Sequence, residues 1–470
     1  MNGFFKKPIP VFLIYFIAGC GNESNPSSEA ENSCPTCSIV SPSETTVFYL
    51  GDEIEIRAEA SDIDGDISVV RFLVDEATVS LDSISPYNYV WDSNGEDYGN
   101  HQLRIIAYDD INNSSSSSVE ITLNYRYDPP ELIDDGWAVS SLFNEGLDSV
   151  QISGMMDNIF QGDNDFVRSI LIARNGRLVL EEYRPDLNSV TLHHMQSATK
   201  SVASALIGIA IDRGHISGVD VPIFELFPEH NDMRTEEKNL ITLEHILTMT
   251  PGLEWNETST GTFDQTNDNI VGHQVRSYLE YALSKPVLYP PGTTWFYNSG
   301  CSVVLGGVIR NTTGMQAVEF AQEYLFAPLG IEYFFWGTMI DGVTGTHGML
   351  WMCSRDQAKI GQLFLDGGMW NGERIISEEW VQNSTEAYIP RYGDPDCQYG
   401  YQWWVDVVNG YEVYYACGYG GQRIFVIDDL DMVLVTTSDY DDENRLNYQV
   451  NFFHQFLYNL IHDCVLPAAR

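Results

Sequence analysis

Basic side chains are scarce in this chain. Its 470 residues hold 24 Lys and Arg against 67 Asp and Glu, a formal net charge of -43. Such a surface repels phosphate backbones, which excludes nucleic acid as a partner. Long apolar runs are also missing. The longest near the N-terminus, Val11 to Ile17, is too short to span a bilayer. No internal repeat is visible, and no cysteine cluster has zinc-ligand spacing. Cys34-Pro35-Thr36-Cys37 has the spacing of a redox motif but lies in a polar stretch without strand–helix context, so a local disulfide is the expected reading.

What is present begins with a targeting segment. Lys6 and Lys7 precede the apolar run, which ends in Ile17-Ala18-Gly19-Cys20. This order resembles a bacterial lipobox, in which the Cys becomes lipidated and N-terminal; an ordinary signal peptide cleaved nearby is the alternative. The resemblance implies a signal peptide over residues 1–19 and a lipid on Cys20. It also implies a flexible Ser/Asn/Glu/Pro-rich tether over 20–38 and a cell-envelope location, at the outer membrane or surface of a bacterium.

Residues 39–126 read as short strands separated by turns. Glu53 to Ala60 alternates polar and apolar, and Val69–Val74, Tyr87–Trp91, His101–Tyr108 and Val119–Leu123 follow at regular spacing. That pattern predicts a β-sandwich. With "A-x-D-x-D-G-x-I", "S-P-Y" and "G-N-H-x-L-x-x-x-A-x-D" it resembles bacterial Ig-like domains. The acidic turn Asp62 to Asp66 lacks the later Glu of an EF-hand and reads as a solvated turn.

Pro129-Pro130 marks a linker over 127–135, and residues 136–470 read as one α/β domain. Asn175-Gly176 between two apolar runs predicts a hairpin. A helix is expected over Val202–Ile211, and strands return at Arg423–Ile427 and Met432–Thr436. A closing helix carries the apolar stripe Phe453, Phe456, Leu457 and Leu460. A mainly antiparallel sheet built from both ends of the domain, flanked by helices, accounts for this order.

Ser197-Ala198-Thr199-Lys200 stands at the head of the expected helix. A Ser hydroxyl is a poor nucleophile until a base takes its proton, and the i, i+3 spacing brings the Lys amine to the same helix face. Alone, an S-x-x-K arises by chance about once in a chain of this size. About a hundred residues later comes Pro291-Gly292 through Tyr297-Asn298-Ser299-Gly300, whose Tyr can relay a proton.

Five ordered blocks carry a resemblance to the serine β-lactamase and penicillin-recognising superfamily, from about Asp135 to the C-terminus. They are Gln196 to Ser201, Ile241 to Leu253, Pro291 to Gly300, Ser354 to Leu363, and Gly418 to Gln422. Within it the chain is most similar to β-lactamase-related esterases and 6-aminohexanoate-dimer hydrolases. The resemblance implies a transpeptidase-like α/β fold, Ser197 as nucleophile, Lys200 as base and Tyr297 as second proton shuttle. It places Gly418 and Tyr419 at the oxyanion site and Ser299 toward substrate; Trp255 reads as lining the substrate cleft or as a core residue. His193, His194 and His245 read as turn or helix-packing residues. The family's Lys-Thr-Gly or His-x-Gly motif is replaced by Ala416-Cys417-Gly418, which removes the cation that meets a penicillin carboxylate.

The expected function is therefore an acyl-enzyme hydrolase of small esters or linear amides, needing no metal or organic cofactor. A D-alanyl peptidase or β-lactamase activity, and a non-catalytic surface-binding lipoprotein, are the alternatives.

Overall fold

The computed structural model describes residues 33–160, 166–257, 265–391, 394–439 and 458–469. The expectations for the signal segment, for Cys20 and for Phe453, Phe456 and Leu457 lie outside these residues. The chain divides into two compact units, Met1–Arg126 with Met156–Asp163 and Tyr127–Met155 with Asn164–Arg470.

The first unit is the expected Ig-like sandwich. Its strands are β1 (Thr36–Ser41), β2 (Phe48–Tyr49), β3 (Glu53–Ser61), β4 (Ile67–Val74), β5 (Ala77–Asp82), β6 (Tyr87–Asp92), β7 (Gly99–Asp109) and β8 (Ser114–Asn124). They form two sheets, in the orders β1-β3-β6 and β2-β8-β7-β4-β5. Period-two burial explains the pairing of faces: Ile54, Ile56 and Ala58 of β3 and Leu103, Ile105 and Ala107 of β7 point inward, with polar residues between them.

Two features of this unit differ from expectation. Strand β1 begins at Thr36, inside the stretch read as tether. The local Cys34–Cys37 bridge does not form, and Cys37 keeps a free thiol. The reason is the strand itself. Pairing of Cys37 with Ala60 turns its side chain toward the sandwich core, where Ser115 Oγ donates to the sulfur at 3.3 Å.

The second unit is built on a nine-stranded sheet. In chain order its second-unit strands are β9 (Ala138–Val139), β10 (Val167–Arg174), β11 (Arg177–Tyr183), β12 (His193–His194), β13 (Phe334–Trp336), β14 (Leu350–Met352), β15 (Met369–Trp370), β16 (Glu373–Arg374), β17 (Ile389–Arg391), β18 (Asp394–Tyr399), β19 (Trp404–Val408), β20 (Tyr411–Gly418), β21 (Gln422–Ile427) and β22 (Met432–Ser438). The large sheet runs β17-β18-β19-β20-β21-β22-β10-β11-β9, antiparallel except at the β9–β11 edge. Strands β12, β14 and β13 form a small separate sheet, and β15 pairs with β16.

Asn175 and Gly176 both adopt positive φ, 52° and 71°, which is the hairpin geometry that Asn-Gly favours. Strands β10, β21 and β22 are buried on both faces, so they read as continuous apolar runs. The helices Thr199–Asp212, Ser299–Thr313 and Ser354–Leu365 supply core side chains to the same cluster as the sheet.

The stretch 127–135, read as a linker from its prolines, is held to this unit. Tyr127 donates its hydroxyl to Val179 O at 2.9 Å, and Arg355 bonds Glu131 O at 2.7 Å and Asp135 at 3.0 Å.

Candidate active site

Ser197 sits on a strained turn. Gln196 is a non-glycine residue with φ of 51°, and the 3-10 turn Gln196–Ala198 runs directly into the helix Thr199–Asp212. The first bonded N–H of the turn is that of Ala198, to Met195 O at 3.1 Å, so the Ser197 N–H lies ahead of the intrahelical ladder. Two glycines let backbone close in on this turn. A Cβ on Gly418 would lie 2.2 Å from Met195 O, so the end of β20 reaches the nucleophile only because position 418 has no side chain. A Cβ on Gly348 would lie 3.5 Å from the Gln196 carbonyl.

Lys200 is the central side chain of the site. It is 2% exposed, and its Nζ lies 2.9 Å from Ser197 Oγ and 2.6 Å from His347 O. Neither partner carries charge. Burial therefore dominates and brings the ammonium down to about 8, against the opposing charge of Glu257. A neutral amine fits these partners: it donates to the His347 carbonyl and turns its lone pair to the Ser197 hydroxyl.

Tyr297 stands beside Lys200. Lys200 Nζ stands 5.0 Å from its ring centroid, and Trp404 and Trp295 flank it at 5.9 and 6.4 Å. Burial raises the phenol well above its ordinary value, Glu257 and Tyr399 add to that, and its hydrogen bond to Ser197 works the other way. Tyr297 thus rests as a neutral phenol, a proton donor, while Lys200 is the group drawn toward its basic form.

A buried amide network ties the helix Thr199–Asp212, which carries Lys200, to the helix Ser299–Thr313, which Tyr297 precedes by two residues. Ser201 Oγ donates to Gln402 O at 2.7 Å, Ser302 Oγ donates to Gln402 Oε1 at 2.6 Å, and Gln402 Nε2 donates to Leu247 O at 2.8 Å. The helix Ser299–Thr313 is capped by Asn298, whose side chain accepts from Cys301 N at 3.1 Å.

The remaining expected residues separate. Gly418 abuts the nucleophile turn, and Tyr419, 42% exposed, follows it directly. Ser299, expected toward substrate, is 1% exposed and gives both its N–H and its hydroxyl to Glu257, at 2.8 and 2.6 Å. Trp255 is half-buried, and its Nε1 donates to the same carboxylate at 2.9 Å. His245 closes a capping box with Thr242. His193 and His194 form the short strand β12, and His194 meets Gly348 O at 2.7 Å.

Sequence reasoning missed Glu257, His347 and Gly348. His347 acts through its backbone carbonyl, which leaves no side-chain signature. Glu257 lies in a loop with no recognisable pattern, and only the fold brings it to Ser299.

Comparison with known proteins shows the family of the second unit. A model of the β-lactamase family matches residues 139–453, and one of bacterial Ig domains matches residues 35–105. A 6-aminohexanoate-dimer hydrolase of Paenarthrobacter ureafaciens is 26% identical over 302 residues, covering 60% of this chain and 74% of that one. A monacolin J acid methylbutanoyltransferase of Aspergillus terreus is 25% identical over 207 residues, 41% of this chain and 50% of that one. An octameric penicillin-binding protein homologue from Pyrococcus abyssi shares the fold, with a TM-score of 0.51 at 17% identity over 66% of this chain and 76% of that one.

Proposed function

The chain belongs to the β-lactamase family of serine hydrolases, and from that premise we propose that it cleaves small esters or linear amides through an acyl-enzyme on Ser197. One observation carries the reading: a buried Lys200 amine 2.9 Å from the Ser197 hydroxyl, with only uncharged partners. In the acylation step Lys200 takes the Ser197 proton as Oγ attacks the carbonyl carbon. The N–H groups of Ser197 and Tyr419 hold the oxyanion. As the tetrahedral species collapses, the C–O or C–N bond breaks and Tyr297 donates a proton to the leaving group. Water then attacks the acyl-enzyme by the reverse proton path and frees Ser197.

The substrate class follows from two supports. Ala416 stands where related sites carry a cation, which leaves a penicillin carboxylate without its usual partner. The Paenarthrobacter relative is a 6-aminohexanoate-dimer hydrolase, and the Aspergillus relative a methylbutanoyltransferase. The test is labelling by a fluorophosphonate probe together with p-nitrophenyl ester turnover. Wild type should label at Ser197 and turn over, and S197A should do neither. An intact-mass adduct with nitrocefin would instead favour the β-lactam-recognising alternative.

We propose in addition that Cys20 is lipidated and holds the enzyme at the cell envelope, with the Ig-like domain as spacer. The support is the order of Lys6-Lys7, the short apolar run and Ala18-Gly19-Cys20. Expression of C20S should move the protein from the membrane to the soluble fraction; unchanged fractionation would overturn the anchor.

A further inference from the structure

Glu257 belongs to neither the triad nor the expected oxyanion site, yet it touches the segment that carries Tyr297. Its Oε1 accepts from Ser299 Oγ at 2.6 Å, and its Oε2 accepts from Ser299 N at 2.8 Å and from Trp255 Nε1 at 2.9 Å. Ser299 is two residues from Tyr297 and opens the helix Ser299–Thr313. The residue just before Glu257 is itself clamped. Asn256 N donates to Asp268 Oδ2 at 2.6 Å, Asp268 N returns a bond to Asn256 O at 2.7 Å, and Asp268 pairs with Lys285. Three of the carboxylate's acceptor positions are thus filled by protein donors. That is the arrangement of a fixed charge, not of a group waiting for a substrate cation.

We propose that Glu257 is the positioning carboxylate of this site: it ties the head of the Tyr297 segment to Trp255 and serves as the counter-charge of Lys200. The inference rests on Lys200 being the base of the proposed reaction.

The groups facing Lys200 from each neighbouring element single out Glu257. From the helix Ser299–Thr313 comes Cys301, and from β20 comes Cys417. Burial raises both thiols, which keeps them neutral. From the helix Asp268–Gln274 comes His273, and from the segment before β14 comes His347, the two rings 3.0 Å apart at Nε2. Burial and Lys200 itself depress both imidazoles, so neither competes as a cation. Tyr297 is held as a phenol. The Glu257 carboxylate remains, and its effect on Lys200 is to favour the ammonium, opposing desolvation.

The consequence is a pH effect with a fixed sign. A base works when deprotonated, so Glu257 holds the acid limb of the pH–rate profile higher than burial alone would set it. Glu257→Gln separates charge from geometry. The amide oxygen can take the place of Oε2 and accept from Ser299 N and Trp255 Nε1, while the amide nitrogen donates to the Ser299 hydroxyl, which can rotate to accept.

The experiment is the pH dependence of kcat/KM on a p-nitrophenyl ester for the full chain. E257Q should lower the acid-limb midpoint by about one pH unit, the shift expected on losing one nearby opposite charge. E257D keeps the charge but shortens the reach; it should leave the midpoint in place and reduce the plateau several-fold. An unmoved or raised midpoint in E257Q, or a lowered one in E257D, overturns the assignment. S197A in the same assay keeps the two readings apart: if S197A still turns over, it is the acyl-enzyme mechanism that fails.

Discussion

Each unit of this protein buries titratable nitrogen bases, and two of them, His101 and Lys200, are treated in opposite ways. In the Ig-like unit His101 is 5% exposed and fully partnered: its Nδ1 meets Asp75 at 2.6 Å and its Nε2 meets Asp97 O at 2.8 Å. Trp91 packs edge-on against its ring at 5.3 Å. In the catalytic unit Lys200 is as deeply buried, but its hydrogen-bond partners are a hydroxyl and a carbonyl. A buried group with both ring nitrogens bonded to fixed acceptors serves the fold. A buried amine without a directly bonded counter-ion is kept near the balance of its two states and can exchange a proton during a reaction.

The largest test of that contrast is removal of the reacting groups. Ser197→Ala and Lys200→Ala should each lower kcat/KM on p-nitrophenyl esters by at least about a thousandfold while leaving the melting transition in place, because groups that act as one unit fail together. Tyr297→Phe should cost about a hundredfold or more in kcat, the typical contribution of a positioned general acid. An effect below tenfold would remove Tyr297 from the proton path.

The pH dependence should follow Lys200. Its burial-lowered value of about 8 means that the neutral base accumulates as pH rises through that point. The rate kcat/KM should therefore climb with unit slope on the acid side and level off above it. A profile that is flat across this range would break the assignment of the base.

Smaller effects test the frame. Gly418→Ala places a Cβ against Met195 O and should destabilise the catalytic unit by about 1–3 kcal/mol, as overpacking does. It should also reduce turnover by shifting the nucleophile turn, readable as a drop in kcat beside a lowered Tm. His101→Ala should cost the Ig-like unit about 1–3 kcal/mol, the penalty for leaving buried partners unpaired. Its esterase activity should equal that of wild type, because nothing in the chemistry passes through His101.

Much of the architecture was legible along the chain, for a physical reason that differs between the units. In the sandwich one face of each strand meets water, so alternation marked β3, β4, β6, β7 and β8. The short β2 and the edge strand β5, whose residues are exposed or half-exposed, bury too little to carry that signal. In the catalytic unit β10, β21 and β22 are covered on both faces, and apolar runs bounded by turn residues marked them instead. The Cys34–Cys37 expectation failed because spacing says nothing about strand direction, and β1 commits Cys37 to the core side.

At the site the division is equally physical. Ser197 and Lys200 lie one helical turn apart, so local geometry alone brings them together, and sequence spacing is sufficient to find them. Tyr297 became recognisable through a block of neighbours in a fixed order. Glu257 and the His347 carbonyl reach the site from about 60 and 150 residues beyond Ser197, across loops whose paths no short-range rule encodes. The pairing of Ser197 with Lys200 was thus determined by the sequence. The electrostatic state of Lys200 was decided by tertiary structure, because the loss of water around it depends on contacts between segments far apart in the chain.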